Sequence, residues 1–93
     1  MTLSDDTRVQ ARPDALSRVL DGEAVILDLA SGTYYGLNET GSEVWTLIAE
    51  GATIGQLSAH LVEVFDADVS TVRADLVQLI DELHRRGLVD VTS

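Results

Sequence analysis

The sequence is defined first by what it lacks: it has no cysteine, one proline and four aromatic residues among 93 positions. Without cysteine, disulfides, thiolate metal sites and a cysteine nucleophile are all excluded. All six basic residues are arginines near the two ends of the chain, against 16 acidic residues and a net charge of -10. That charge repels phosphate backbones and therefore disfavours nucleic acid as a partner.

Long hydrophobic runs are also missing, and the opening MTLSDDT is acidic and polar, unlike a signal peptide. We therefore expect a cytoplasmic protein. Its length and its hydrophobic content of 45% predict one folded domain over residues 1–93, with residues 1–6 as a flexible tail.

Catalytic and metal-binding patterns are weak throughout the chain. His60 and His84 fall in different predicted helices with no matched carboxylate spacing, and no serine has a histidine partner in any motif. A glycine-rich phosphate loop is absent too. The residues thus predict a protein that is not an enzyme and that carries no cofactor and no metal.

The first third of the sequence predicts strands. Thr7–Arg12 alternates weakly and stops at a proline, as an edge strand does, whereas 14–20 fits a helical turn or a loop packed on the core. Ala24–Leu29 is an apolar run of the kind that is covered on both faces. Ser31 and Gly32 supply a tight turn, so this run and Thr33–Leu37 are predicted to form a hairpin.

The remainder predicts three helices. They begin at the N-caps Asn38, Thr53 (in a capping box with Gln56) and Ser70, and the third ends at Gly87. The short tail that carries Leu88, Val89 and Val91 is expected to fold back onto the core. The predicted fold is α+β: a three-stranded antiparallel sheet followed by three helices, in a winged helix-turn-helix-like arrangement.

Two adjacent tyrosines on the second hairpin strand are the main functional clue. Strand alternation points Thr33, Tyr35 and Leu37 to one side, which is the core side if Leu37 is buried, and Tyr34 to the wetter side. Gly36, inside the strand, is typical of a place where another backbone approaches closely. Simple packing of Tyr35 and simple exposure of Tyr34 remain open as the alternative.

An edge strand beside a long helix can form a peptide-binding groove. Residues 33–37 would supply the edge, and the third helix the second wall. The predicted lining of that wall is Val69, Val72, Leu76 and Leu79, with Arg73 and Asp75 pairing with charges on the peptide. Plain core packing and ordinary surface are the alternatives for these residues. Under the groove hypothesis, loss of Leu76 or Tyr35 weakens binding without unfolding the domain.

The string VILDLASGTYYGLNETGSEVWTLIAEG, followed by LHRRGLV, resembles the PqqD-like family of peptide recognition domains over 22–91. The matching elements are the apolar strand, the pattern Gly32-Tyr34-Leu37-Asn38, Trp45, and the closing Leu83-Gly87-Leu88. Residues before Gly22 match poorly.

This resemblance implies a recognition element that binds the leader of a ribosomal precursor peptide as an added strand, between the third predicted strand and the third helix. A free-standing chain of this pattern looks most like the recognition protein of lasso-peptide biosynthesis. Its implied partners are a leader peptidase and an ATP-dependent macrolactam synthetase. The alternative within the family is a PqqD-type peptide chaperone for a radical enzyme.

Two other classes fit some features of the sequence. A winged-helix DNA-binding protein would have this order of elements, but the second helix offers only Gln56 and His60 and no base. An acyl or peptidyl carrier would also be small and acidic, but neither Ser42 nor Ser58 stands in the Asp-Ser-Leu context of carriers, and the hairpin does not suit an all-helical fold.

Overall fold

The computed structural model describes residues 3–92 and contains three helices and two small antiparallel sheets. The elements, in chain order, are β1 Arg8–Ala11, β2 Ala15–Leu20, β3 Glu23–Asp28, β4 Thr33–Gly36, α1 Glu39–Ile48, β5 Ala52–Thr53, α2 Ile54–Phe65, α3 Val69–Arg85 and β6 Val89–Thr92. The predicted α+β class with three helices is confirmed.

Sheet membership differs from the sequence prediction. β1 lies between β5 and β6 in one sheet, whereas β2, β3 and β4 form the other in that order. The first strand is therefore not part of the hairpin sheet, because its partner is the C-terminal strand: Val9 pairs with Val91 and Ala11 with Val89. The predicted return of the C-terminal tail onto the core thus takes the form of a strand.

The segment predicted as a helical turn or loop is the strand β2. It pairs with β3 in a continuous antiparallel ladder from Ala15 opposite Asp28 to Leu20 opposite Glu23. Pairing along the neighbouring strand overrides the helical spacing of its apolar residues. Leu16 and Leu20 remain more than half exposed, so this segment is not packed on the core as predicted.

The predicted hairpin is confirmed, with β3 and β4 paired from Val25 opposite Gly36 to Asp28 opposite Thr33. β3 is not covered on both faces, however. Ala24 and Ile26 enter the core, while Val25 and Leu27 on the other face are only half buried.

Helix α1 is fixed to this hairpin at its start. The Asn38 side chain caps it by accepting from the Gly41 N–H at 2.9 Å. The buried Ser42 hydroxyl accepts from the Ala24 N–H at 2.7 Å and donates to the Asn38 carbonyl at 2.8 Å. The first bond satisfies a backbone N–H of β3, and together the two bonds hold β3 against the start of the helix.

Helices α2 and α3 begin at side-chain caps. The predicted capping box of Thr53 and Gln56 is present at the start of α2. The cap of α3 is Asp68 rather than the predicted Ser70, because the Asp68 carboxylate accepts from the N–H groups of Ser70 and Thr71 at 3.1 and 3.2 Å. An anionic cap is also favoured by the helix dipole.

The core lies between the helices and the two sheets. Its buried side chains come from α1 (Val44, Trp45, Ile48), α2 (Ile54, Leu57, Leu61), α3 (Val72, Leu76, Ile80, Leu83) and strands of both sheets (Val9, Ile26, Val89). None of the helices within residues 3–92 is both long and apolar enough to cross a membrane.

Residues 3–6, predicted as part of a flexible tail, are held against α2 and α3. The Asp5 carbonyl accepts from the Gly55 N–H at 3.1 Å, and the Asp5 carboxylate is bonded to the Arg73 guanidinium. Leu3 packs against the core. Residues 1–2 of that predicted tail lie outside the described part of the chain.

Candidate functional site

The free edge of β4 is the first wall of the site. The Leu37 N–H donates to the Ala24 carbonyl at 2.9 Å, so Leu37 and, by alternation, Tyr35 and Thr33 direct their backbone groups toward β3. Tyr34 and Gly36 therefore direct theirs away from β3. No strand within residues 3–92 pairs with that side of β4.

The second wall is the face of α3 that carries Asp75, Leu79, Glu82 and the adjoining C-cap Arg86. Two clefts border these walls: one lies beside β4 and Arg86, and the other lies between the start of α1 and α3. The hairpin cleft, about 190 Å³, is lined by Asp28, Ser31, Thr33, Tyr35, Arg86 and Leu88. The helix cleft, about 280 Å³, is lined by Asn38, Thr40, Gly41, Asp75, Gln78, Leu79 and Glu82. We call the space between the β4 edge and this face of α3 the groove.

Three neighbouring side chains connect β4 to the end of α3. The Arg86 guanidinium carbon lies 4.5 Å from the centroid of the Tyr35 ring, a distance typical of a cation–π contact. Arg86 Nη2 donates to Glu82 Oε1 at 3.3 Å. We call these three residues the clasp; Tyr35 and Arg86 line the hairpin cleft, and Glu82 lines the helix cleft.

The clasp also changes the acidity of the tyrosine. Burial raises the pKa of the Tyr35 phenol above its ordinary value of 10.0, and the neighbouring Glu82 carboxylate raises that pKa further by favouring the neutral phenol. The Arg86 guanidinium partly opposes this rise. Tyr35 is therefore protonated, and its hydroxyl remains a hydrogen-bond donor, throughout the neutral range.

Some predicted site residues line the groove directly. Thr33 and Tyr35 stand on the β4 side, and Asp75 and Leu79 on the α3 side. The two β4 residues thus line the hairpin cleft and the two α3 residues line the helix cleft, while the backbone of Tyr34 and Gly36 forms the outer edge of β4.

Three of the other predicted residues belong to the core. Leu37, Val72 and Leu76 retain only 5%, 7% and 1% of their surface and pack among the helices. They support the walls from behind. The expectation that loss of Leu76 would weaken binding without unfolding the domain does not fit this position, because deletion of a buried side chain leaves a cavity in the core.

Two more predicted residues of α3 line neither cleft. Val69, at the first position of the helix, is 59% exposed. Arg73 precedes Glu82 by roughly two and a half helical turns and so lies on the opposite side of α3. Its guanidinium bonds the Asp5 carboxylate and, at 3.4 Å, the Leu3 carbonyl. Arg73 anchors the N-terminal segment.

The two residues of β4 that offer their backbone to the groove turn their side chains to the other face of the sheet. Tyr34 is 70% exposed there, as predicted, beside Val25 and Leu27. A methyl group at Gly36 would meet no atom within 4 Å. Packing within this chain therefore does not require glycine at position 36, which leaves room for the approach of another backbone.

Sequence analysis missed Gln78, Glu82 and Arg86. The available signal was helical spacing, because Asp75, Gln78, Glu82 and Arg86 recur every three or four positions beside the apolar stripe of α3. That spacing alone does not separate a groove wall from ordinary solvated surface.

Other polar contacts lie away from the groove. His60 Nε2 is 2.9 Å from Glu43 Oε2 and joins α2 to α1. Within residues 3–92 no group of three histidine, cysteine or acidic side chains is placed to hold a metal ion.

Comparison with known proteins identifies the family. The model of PqqD, described as coenzyme PQQ synthesis protein D, matches residues 23–89, which include both walls of the groove. The chain belongs to the PqqD family. A search of curated proteins finds no match.

Three solved structures share the PqqD-like fold. One is TbiB1 in complex with the TbiA(beta) leader peptide, with 30% identity, a TM-score of 0.82, and coverage of 87% of this chain and 94% of TbiB1. A lasso peptide synthetase B1 complexed with its leader peptide has 23% identity, a TM-score of 0.74, and coverage of 88% and 96% of the two chains. At this identity, the likeness shows the fold alone.

The third structure is the PqqD truncation of Methylobacterium extorquens PqqCD, described as a functional, stand-alone recognition element for ribosomally synthesized and post-translationally modified peptides. It has 18% identity, a TM-score of 0.78, and coverage of 96% of this chain and 95% of the other. It also supports the fold alone, including the two-sheet arrangement that the sequence did not predict.

Proposed function

We propose that this protein is a non-catalytic recognition element that binds the leader of a ribosomal precursor peptide as an added β-strand between β4 and α3. The observation that carries the proposal is the free β4 edge: within residues 3–92 no strand pairs with the outward backbone groups of Tyr34 and Gly36, and the end of α3 contacts the neighbouring Tyr35. Membership of the PqqD family and the leader-bound structure of TbiB1 support it.

Strand addition explains why a backbone edge is the site. Two outward residues supply two donors and two acceptors, at about 0.5–1.5 kcal/mol net for each hydrogen bond. Submicromolar binding needs more than about 8 kcal/mol, so side chains of the leader must contribute the remainder. They would enter the two clefts, where Leu79 and the Tyr35 ring offer apolar contact.

The charge of the groove favours a leader with basic residues. Asp28, Asp75 and Glu82 line the clefts, and Arg86 is the one base in their lining. With a net charge of -10, the whole chain attracts such a peptide during encounter, which acts mainly on the association rate.

Delivery of the bound leader to processing enzymes completes the proposed role. We infer that the partners are a leader peptidase and an ATP-dependent macrolactam synthetase of lasso-peptide biosynthesis, in the cytoplasm, and that the protein itself catalyses no reaction. The TbiB1 likeness favours this assignment. The family description favours the second candidate, a peptide chaperone for a radical enzyme of quinone-cofactor synthesis. Binding to one type of precursor and not to the other decides between them.

The test is a matched pair of proline substitutions on the two free edges of the hairpin sheet. The Leu29 N–H donates to the Asp14 carbonyl, so by alternation Val19 directs its N–H away from β3, as Gly36 does. Gly36→Pro removes an edge donor beside the groove, and Val19→Pro removes one on β2.

Binding is measured by fluorescence anisotropy with a labelled synthetic leader of the precursor encoded beside this gene. We expect submicromolar binding by the wild type and by Val19→Pro, and a roughly tenfold loss in Gly36→Pro, which lacks one hydrogen bond to the leader, with circular dichroism confirming that each is folded. A folded Gly36→Pro protein that binds like the wild type would show that the β4 edge is not the site.

A further inference from the structure

We propose that the clasp of Tyr35, Glu82 and Arg86 positions the β4 edge against α3 and thereby pre-organises the groove before a peptide arrives. The inference rests on the proposed function. It goes beyond that function by giving these side chains a positioning role, distinct from any contact that they make with the leader.

The two halves of the clasp are attached to different parts of the fold. Tyr35 belongs to the hairpin sheet, whereas Glu82 and Arg86 are four residues apart at the end of α3. The Arg86 N–H donates to the Glu82 carbonyl at 3.1 Å, which fixes these two residues relative to each other. A shift of β4 relative to α3 therefore has to break the contact between Tyr35 and Arg86.

Two kinds of contact restrain β4 on this side. The ladder of β4 runs along β3 only, and the half-buried Tyr35 ring packs against the edge of the core beside the hairpin cleft of about 190 Å³. Beside an open cleft, close packing holds the ring on one side only. The contact of Tyr35 with Arg86 adds a direct restraint between β4 and the end of α3.

The chemistry of arginine suits the clasp. A planar guanidinium can lie over an aromatic ring and donate to a carboxylate at the same time, whereas the ammonium group of lysine is a compact point charge. Arg86 also offsets the negative charge of Glu82 at a point that the leader must cross.

A pre-organised groove should hold its peptide longer. A site that is ordered before binding loses less conformational entropy when the complex forms. Among variants of one interface, differences in affinity appear mostly in the dissociation rate. The clasp therefore predicts an effect on that rate, with little change in association or in folding stability.

The chain offers a matched control on the same helix. Arg85 forms the same kind of pair one residue earlier, with its Nε 3.3 Å from Asp81 Oδ2, and it is exposed to solvent away from the groove lining. Arg86→Lys and Arg85→Lys thus make the same chemical change in equivalent helical pairs, but only the first affects the clasp.

The experiment measures association and dissociation rates of the labelled leader by stopped-flow fluorescence, with urea unfolding as the measure of stability. We expect Arg86→Lys to raise the dissociation rate about three- to tenfold, with association and unfolding midpoint unchanged, and Arg85→Lys to match the wild type. Equal dissociation rates in the two variants, with the wild type binding normally, would overturn the clasp but not the proposed function. Absence of binding by the wild type would overturn both.

A double-mutant cycle separates positioning from direct contact. In a Tyr35→Leu background the clasp is already broken, so Arg86→Lys should have no further effect on dissociation. If Arg86 instead bound the leader directly, the same increase would persist in that background, and the positioning role would be wrong.

Discussion

In the part of the chain that the structure describes, the hairpin sheet has two free edges, β2 and β4, and they differ in what lies beside them. Both present outward backbone groups, at Val19 on β2 and at Gly36 on β4. β4 borders the hairpin cleft and contacts the end of α3 through the clasp. β2 is exposed along almost its whole length, and no residue of a described helix lines the cleft beside it. Under the proposed function, the contact with α3 is what makes β4 a specific site, because a second wall limits which strands can be added to the edge.

The largest effects should come from damage to the wall behind β4. Leu76 and Leu79 are neighbours on α3, but Leu76 is buried in the core, whereas Leu79 is half buried at the helix cleft. We expect Leu76→Ala to lower the free energy of unfolding by about 2–5 kcal/mol through the cavity it leaves. Leu79→Ala should lower it by about 1 kcal/mol and weaken leader binding roughly tenfold.

Urea unfolding and anisotropy titrations of the two variants check this division between fold and site. A Leu79→Ala protein that binds with wild-type affinity would remove the helix cleft from the site. A Leu76→Ala protein as stable as the wild type would contradict the burial of that side chain.

In the unmodified protein, the two edges should differ in how strongly added leader slows amide hydrogen exchange, which is a smaller effect. Added leader should pair with the outward N–H groups of β4 and not with those of β2. We expect hydrogen exchange of the Tyr34 and Gly36 amides to slow by at least about tenfold at saturating leader, while that of Ser17 and Val19 is unchanged. Residue-resolved exchange measured by NMR gives the answer; protection at Ser17 and Val19 instead would place the peptide on the wrong edge.

The smallest effect concerns the acidity of Tyr35. Its folded pKa is raised above the ordinary 10.0 by burial and by Glu82. The neutral phenol is thus favoured in the folded state, so this contribution to stability is complete below about pH 10 and is lost as the pH rises through the folded pKa.

Ultraviolet titration of a Tyr34→Phe variant, in which Tyr35 is the remaining tyrosine, should give a midpoint above 10. Adding Glu82→Gln should lower that midpoint, because it removes the carboxylate charge beside the phenol. An unchanged midpoint would mean that the Glu82 carboxylate does not act on the Tyr35 phenol, and Glu82 would then not belong to the clasp.

The hairpin and the helices were predictable because their signals are local. Ser31 and Gly32 define the turn, Asn38 caps α1, and Thr53 with Gln56 caps α2, each within a few residues of what it controls. The cap of α3 was assigned wrongly because Asp68 and Ser70 are both good caps two positions apart, and only the backbone geometry chooses between them.

β2 could not be predicted from its own residues. Leu16, Val19 and Leu20 follow helical spacing, and the exposure of both faces removes the alternation that usually marks a strand. Its conformation comes from pairing with β3. The assignment of β1 to the other sheet likewise depends on β6, at the opposite end of the chain.

The site was predictable only where its signals are local in the sequence. The edge strand and its helical wall follow from hairpin alternation together with the family resemblance. Residues of one helix stripe could not be divided between core and groove, so Val72 and Leu76 were placed in the lining while Glu82 and Arg86 were missed. The clasp joins Tyr35 to Glu82 and Arg86, which are far apart in the sequence, and no local sequence pattern predicts such a contact.

Gly36 has a consequence for the evolution of this chain. The fold leaves open space where its Cβ would stand, and its backbone lies outside the left-handed region, so alanine there should support folding at least as well. Selection for abundance alone would therefore let this glycine drift. Selection for partner binding would retain it. The residue found at position 36 in related sequences therefore reports which of the two kinds of selection has acted.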